Sequence, residues 1–123
     1  MVRIKRVYEK PSRDDGVRIL VDRLWPRGVS KDKAHVDMWI KEVAPSSSLR
    51  KWFGHSPEKW DEFHIRYEKE LWKNWDAVEK IKEFERELGT VTLVYSAKDK
   101  MHNNALALSD VVKILEHPLE DCC

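Results

Sequence analysis

The chain has 123 residues, enough for one domain with a real core and no need of disulfide staples. Hydrophobic residues make up 41%, and twelve Trp, Tyr and Phe side chains demand burial, which excludes a disordered chain; 37% charged residues imply a heavily solvated surface. The net charge of +1 excludes a strongly basic nucleic-acid coat, and no apolar run approaches the length of a membrane span.

In chain order, residues 2–8 alternate apolar and charged side chains, the period of a half-buried strand. Residues 9–16 are turn chemistry, and residues 17–22 read as a more buried strand. The short connection predicts an antiparallel pair. Leu24-Trp25-Pro26-Arg27-Gly28 breaks the second strand into a loop, and Ser30 is placed to cap a short helix reaching about Val36. Trp39 to Val43 reads as a further helical turn, and residues 44–48 as loop.

Ser56-Pro57-Glu58 is a helix start, followed at helical spacing by Trp60, Phe63, Tyr67 and Leu71. A second long helix runs from about Asp76 to Leu88, with Val78, Ile81, Phe84 and Leu88 as its apolar face and Gly89 as its stop. Residues 91–95 form the clearest strand, and a last helix begins near Asn103 with Ala105, Leu108, Val112 and Leu115 as its buried stripe. There is no internal repeat or linker. The reading is an α/β fold over residues 1–123: a small mixed sheet of about three strands with helices packed on it, in one domain.

Charge is unevenly placed. Residues 1–33 carry ten Lys/Arg against five acids, a local +5 in a chain of +1, which leaves −4 for the rest. A basic face on an acidic body suits an anionic ligand or partner. The two cysteines, Cys122 and Cys123, are adjacent and have no other cysteine to pair with, which fits a reducing, cytoplasmic setting. The N-terminus has charge but no apolar segment of a secretory signal. Gln is absent and Lys and Glu are abundant, a composition similar to that of thermophile proteins.

The four glycines form neither a dinucleotide-binding nor a phosphate-loop pattern, and no Cys/His spacing suggests zinc, so no metal or cofactor is assigned. Two strand ends do carry chemistry. Ser96 to Asn104 follows the last strand and precedes a helix, where α/β folds place ligands. There Lys98, Asn103 and Asn104 are candidate hydrogen-bond donors, and His102 a candidate acid–base held by Asp99. Asn103 as a plain helix cap is the alternative. Asp22 to Gly28 ends the second strand, with Arg23 and Arg27 as candidate anion clamps and Trp25 as a stacking face. In the bland alternative Asp22 pairs with Arg23 and Trp25 is core. If strands 17–22 and 91–95 are parallel and adjacent, Arg23, Arg27, Lys98 and His102 open on one side and surround one anion. The segment from Asp37 to His55, with Trp39, Arg50, Trp52 and His55, would then fold over that pocket as a wall or lid.

Three segments carry a resemblance. Asp-Gly-x-Arg-Ile-Leu-Val-Asp-Arg-Leu-Trp-Pro-Arg-Gly-x-x-Lys (15–31), Ala-Pro-Ser-x-x-Leu-Arg-x-Trp-Phe (44–53) and Thr-Leu-x-Tyr-x-Ala-Lys-Asp-x-x-His-Asn-Asn-Ala (92–105) are similar to the YeaO-like family within the DUF488 group of domains of unknown function. The resemblance covers nearly the whole chain. It implies a compact α/β fold of bacteria and archaea and assigns no activity. Relatives in the broader group carry a cysteine in the loop after the last strand; here the positions read Val94-Tyr95-Ser96, so the resemblance implies no thiol chemistry.

The expected function is binding of, or action on, a small anionic ligand such as a phosphate ester or nucleotide-like compound, in a basic pocket at the strand ends. The alternatives are a nucleic-acid-associated protein using the basic N-terminal third, and a protein-interaction module with a Trp-rich surface. A homodimer is compatible with each, and no membrane is involved.

Overall fold

A computed structural model describes residues 1–114. Leu115, Cys122 and Cys123 lie outside the described residues. The sheet has four strands, β1 (Val2–Arg6), β2 (Val17–Leu20), β3 (Met38–Trp39) and β4 (Val91–Tyr95), in the order β1-β4-β2-β3. Every pairing is parallel: Ile4 lies opposite Leu93, Ile19 opposite Leu93, and Leu20 opposite Trp39. Around the sheet stand α1 (Lys31–Ala34), α2 (Ser47–Phe53), α3 (Trp60–Lys73), α4 (Trp75–Leu88) and α5 (Asn104–Ile114). This is the expected α/β domain with helices packed on a small sheet.

The expected antiparallel pair does not form. β1 and β2 are not neighbours, because β4 inserts between them and pairs in parallel with both. Chain geometry allows this without a crossover helix. Two strand spacings of about 4.8 Å combined with the roughly 16 Å length of β1 give a return path near 19 Å. Residues 7–16 reach about 33 Å at 3.3 Å per residue. Ser12 and Asp15 cap each other across the turn Arg13–Asp15, and Gly16 (φ 62°) redirects the chain into β2.

β4 is buried at all five positions, as a strand covered on both faces must be. Val91, Leu93 and Tyr95 of this strand, with Val2, Ile19 and Val21 beside it, join the main core together with residues of α3, α4 and α5. The alternate face is thinly covered by Val7, Val94, Ala34 of α1 and the loop residues Trp25 and Val29. α3 buries Phe63, Tyr67 and Leu71, with the fully buried Tyr67 hydroxyl donating to the Val43 carbonyl. Burial, with help from the charges of Asp22 and Glu70, pushes that phenol well above its usual pKa. α4 buries Val78 and Ile81 and partly buries Phe84, but Leu88 stands exposed. Of Trp39 to Val43, expected as a helical turn, Trp39 belongs to strand β3 and only Lys41–Val43 is helical. No helix among the described residues is long and apolar enough to cross a membrane.

Candidate functional site

The parallel pairing of β2 with β4 puts the segments that follow them on the same side of the sheet. Asp22 joins the two. Its Oδ2 accepts from the Ser96 backbone N–H (2.9 Å) and hydroxyl (2.7 Å), and its Oδ1 accepts from Asn104 Nδ2 (3.1 Å), which also donates to the Val21 carbonyl. The Asp22 carbonyl receives Trp39 Nε1 (2.7 Å) from β3. Asp22 is therefore a structural knot and not the partner of Arg23, whose guanidinium reaches the Pro45 carbonyl at 3.3 Å. From β1, Arg6 donates to the carbonyls of Ala97 and Ser96, and Tyr8 to the carbonyl of Arg27.

These ties frame a cavity of about 390 Å³ at the carboxyl ends of the strands. Arg23, Trp25 and Arg27 from the loop after β2 line it, together with His102, Asn103 and Asn104 from the start of α5. Trp25 contributes to the wall with its indole edge-on to Trp39 (5.5 Å) and its Nε1 bonded to the Val29 carbonyl. Lys98 does not line the cavity and is exposed. Asp99 stays outside the lining but holds His102: its Oδ2 is 2.9 Å from His102 Nδ1, while its Oδ1 accepts the backbone N–H groups of Met101 and His102. The Met101 N–H, followed by the His102 side chain, holds the Asp99 carboxyl below its usual pKa. Trp60 packs edge-on to the His102 ring at 5.4 Å. Asn103 is 3% exposed and acts as a cap, with Oδ1 accepting from the Leu106 N–H and Nδ2 donating to the Asp99 carbonyl.

The far wall comes from the middle of the chain. Ser46 caps α2 through the Leu49 N–H, and Glu70 of α3 accepts from both the Ser46 N–H and hydroxyl, which fixes where α2 sits. Arg50, Phe53 and His55 thereby reach the cavity, with Phe63 of α3 behind them. Trp39 and Trp52 do not line it. Trp39 supports the frame, and Trp52 is covered by Arg66 and Lys59 on the outside of α2 and α3. Gly54 (φ 54°) and His55 (φ 58°) are both left-handed, so the chain turns sharply after α2.

Among the described residues, Arg23, Arg27 and Arg50 form no ion pair, and the sole carboxylate of the lining is Asp22, with both oxygens engaged. No group of three or more His, Cys, Asp or Glu among them converges as a metal site. A cavity edged by unpaired cations and one oriented imidazole can hold an anion and exchange a proton with it.

A parallel α/β domain with its cavity at the strand ends is thus the class that fold and site define. A family model described as the inactive DUF488-N3 subclade matches residues 1–121, and the chain belongs to this YeaO-like DUF488 family. The uncharacterized protein YeaO of Escherichia coli (strain K12) is 39% identical over 114 residues, covering 93% of this chain and 98% of that protein. The uncharacterized protein Rv3073c of Mycobacterium tuberculosis (strain H37Rv) is 56% identical over 70 residues, 57% of this chain. The matched stretch spans 59% of the length of that mycobacterial relative. No solved structure matches the chain significantly.

Proposed function

We propose that the protein binds a small anionic ligand in the cavity at the carboxyl ends of β2 and β4, without turning it over. The observation that carries this reading is three arginines lining one cavity with no acidic partner among the described residues. Beside the start of β2, by contrast, the buried Arg18 is paired with the buried Asp15 at 2.6 Å. Leaving guanidinium groups unpaired in a concave site favours an incoming anion. Lys5, Arg6 and Arg18 are engaged with internal partners, which supports a small ligand over a basic stripe for nucleic acid. The absence of a cysteine at Ser96 and the family's description as inactive support binding without turnover.

A second reading has one observation in its favour. The Asp99–His102 contact at 2.9 Å fixes Nδ1 and leaves Nε2 for proton exchange, so His102 would act as general base on a bound ester, with Asp99 orienting it.

The test is thermal unfolding with a panel of carboxylates, phosphate and phosphate esters, on the parent chain, Arg27→Ala and Arg50→Ala. A ligand at a hundred times its dissociation constant stabilises by about 2.7 kcal/mol, a rise of several degrees for a domain of this size. The expected result is a rise in the parent that both variants lack. A panel that moves no melting curve sinks the reading. Product release from a bound ester, abolished by His102→Gln, would favour the second.

A further inference from the structure

We infer that the ligand is a phosphate monoester bearing a flat ring, its charged end gripped from two sides by Arg23 and Arg27 and by Arg50 and His55. The inference rests on the anion-binding reading above and names the ligand class.

Charge comes first. Three guanidinium groups line the cavity, and its single carboxylate already accepts three hydrogen bonds. A carboxylate ligand would leave at least two of these cations unanswered. A phosphate monoester carries about −1.5 to −2 at pH 7 and offers three acceptor oxygens to guanidinium forks. The two donor pairs come from separate parts of the chain, the loop after β2 and the segment of α2 and the turn that follows it, so the anion would be held across the cavity.

The apolar lining sets the rest of the ligand. Ala44, Pro45, Phe53, Phe63 and Ala97 share the cavity with those cations. Phe53 and Phe63 pack ring to ring at 4.4 Å but are only 6% and 2% exposed, so the accessible part of the apolar lining includes Leu24, Trp25 and Ala97. An inorganic anion would leave that accessible apolar lining wet, whereas a flat ring covers it. The volume of about 390 Å³ lies at the low end of the ~300–1,000 Å³ range of ligand sites. It suits one ring with one charged group and is small for a polymer.

His55 is the residue that loop chemistry alone would not place here. Its left-handed backbone follows another left-handed residue, a region that disfavours a non-glycine side chain. The turn nonetheless carries an imidazole on the cavity wall.

The experiment is titration calorimetry of the full chain with inorganic phosphate, phenyl phosphate, a nucleoside monophosphate and the matching uncharged nucleoside. Both monoesters should bind more than about tenfold tighter than phosphate, and the nucleoside weakest. If inorganic phosphate binds as tightly as the esters, the ring is wrong and the anion site stands. An uncharged nucleoside equal to its monophosphate would overturn the charged grip. If no anion binds at all, the proposed function fails with it. His55→Gly removes the imidazole and accepts the same backbone, so it should melt no lower than the parent and bind the esters several-fold more weakly. Unchanged ester affinity in that folded variant removes His55 from the grip, and the same result for Arg50→Ala removes the second side.

Discussion

Beside the start of β2, the Asp15 carboxylate, 1% exposed, accepts from Arg18 at 2.6 Å, from Lys5 at 3.2 Å and from the Ser12 N–H at 3.0 Å. Arg18 is 4% exposed and also donates to the carbonyls of Ala34 and His35. At the other end of the same strand, Arg23 and Arg27 are exposed and form no ion pair among the described residues. The two clusters use the same residue types for opposite ends. Where water is excluded, each charge must be answered inside the fold, because an unanswered one is far too costly. Where a cavity opens to solvent, cations tolerate having no partner until one arrives. A charge cluster speaks for function only when its partners are missing.

Breaking the closed cluster should have the largest effect. Asp15→Asn leaves the buried Arg18 uncompensated, and removal of one member of such a pair costs about 3–5 kcal/mol. Chemical denaturation should show that loss, with an equal or greater fall if Ala replaces Asp15. Acid sharpens the same point. Burial alone would raise the Asp15 carboxyl, but the Ser12 N–H, Arg18 and Lys5 outweigh it and hold the pKa below its usual value. A depressed carboxyl stabilises the fold above its unfolded pKa, about 3.9, and this stability is lost as pH falls through the folded value. The parent should therefore weaken steeply below about pH 4, and Asp15→Asn should respond more weakly. Equal acid slopes in the two proteins would exclude Asp15 as the group responsible.

Gly16→Ala tests the backbone under that cluster. A Cβ built there would lie 2.2 Å from the Thr90 carbonyl oxygen, and φ is 62°. Backbone has to move, so a loss of about 2–3 kcal/mol is expected in the same denaturation experiment. A loss below about 0.5 kcal/mol would mean the approach of β2 to β4 is looser than the contact implies.

Asp22→Asn is next and belongs to the open cluster's frame. It weakens the bonds from Ser96, and hydrogen bonds to a charged group contribute about 1.5–3 kcal/mol. A smaller loss, about 1–2 kcal/mol, is expected because an amide oxygen still accepts. Anion affinity should fall with it, since Ser96 and Asn104 lose their register to the loop after β2. Stability lost with anion affinity intact would separate the frame from the site.

How much of this was legible in the sequence depended on whether a feature is local. β4 was plain because a strand covered on both faces reads as a nearly continuous apolar run, broken here only by Thr92, and α5 because Ala105, Leu108 and Val112 repeat at helical spacing. β3 was not, because two residues are a strand only through their pairing with β2. Strand order was hidden for the same reason, since no pattern in residues 2–22 reports that residues 91–95 will come between them. Arg23, Trp25, Arg27 and His102 could be nominated from strand ends alone. Lys98 shared that position, yet it projects into solvent. Asp22 is adjacent to Arg23 in sequence and bonded to Ser96 in space, a choice that residue type does not determine. Arg50 and His55 read as a wall from their place in the chain, and only the Ser46–Glu70 contact, which positions α2, makes them part of the cavity. Phe53 carried one available signal, its place in the 44–53 segment that carries the family resemblance.

The smallest effect on stability should come from Arg27→Ala, and that smallness is the point. Arg27 is exposed, its guanidinium has no ion pair among the described residues, and its carbonyl, which accepts from Tyr8, survives the substitution. Melting without ligand should therefore change by no more than about 0.5 kcal/mol. The rise that a bound anion gives the parent should shrink sharply, because charge-assisted bonds to a guanidinium are among the strong ones. A cation held for the fold, as Arg18 is, gives the reverse: a large loss without ligand and none specific to it. If Arg27→Ala behaves like a broken Arg18–Asp15 pair, the contrast between the two ends of β2 disappears, and the cavity's arginines become further structural ties.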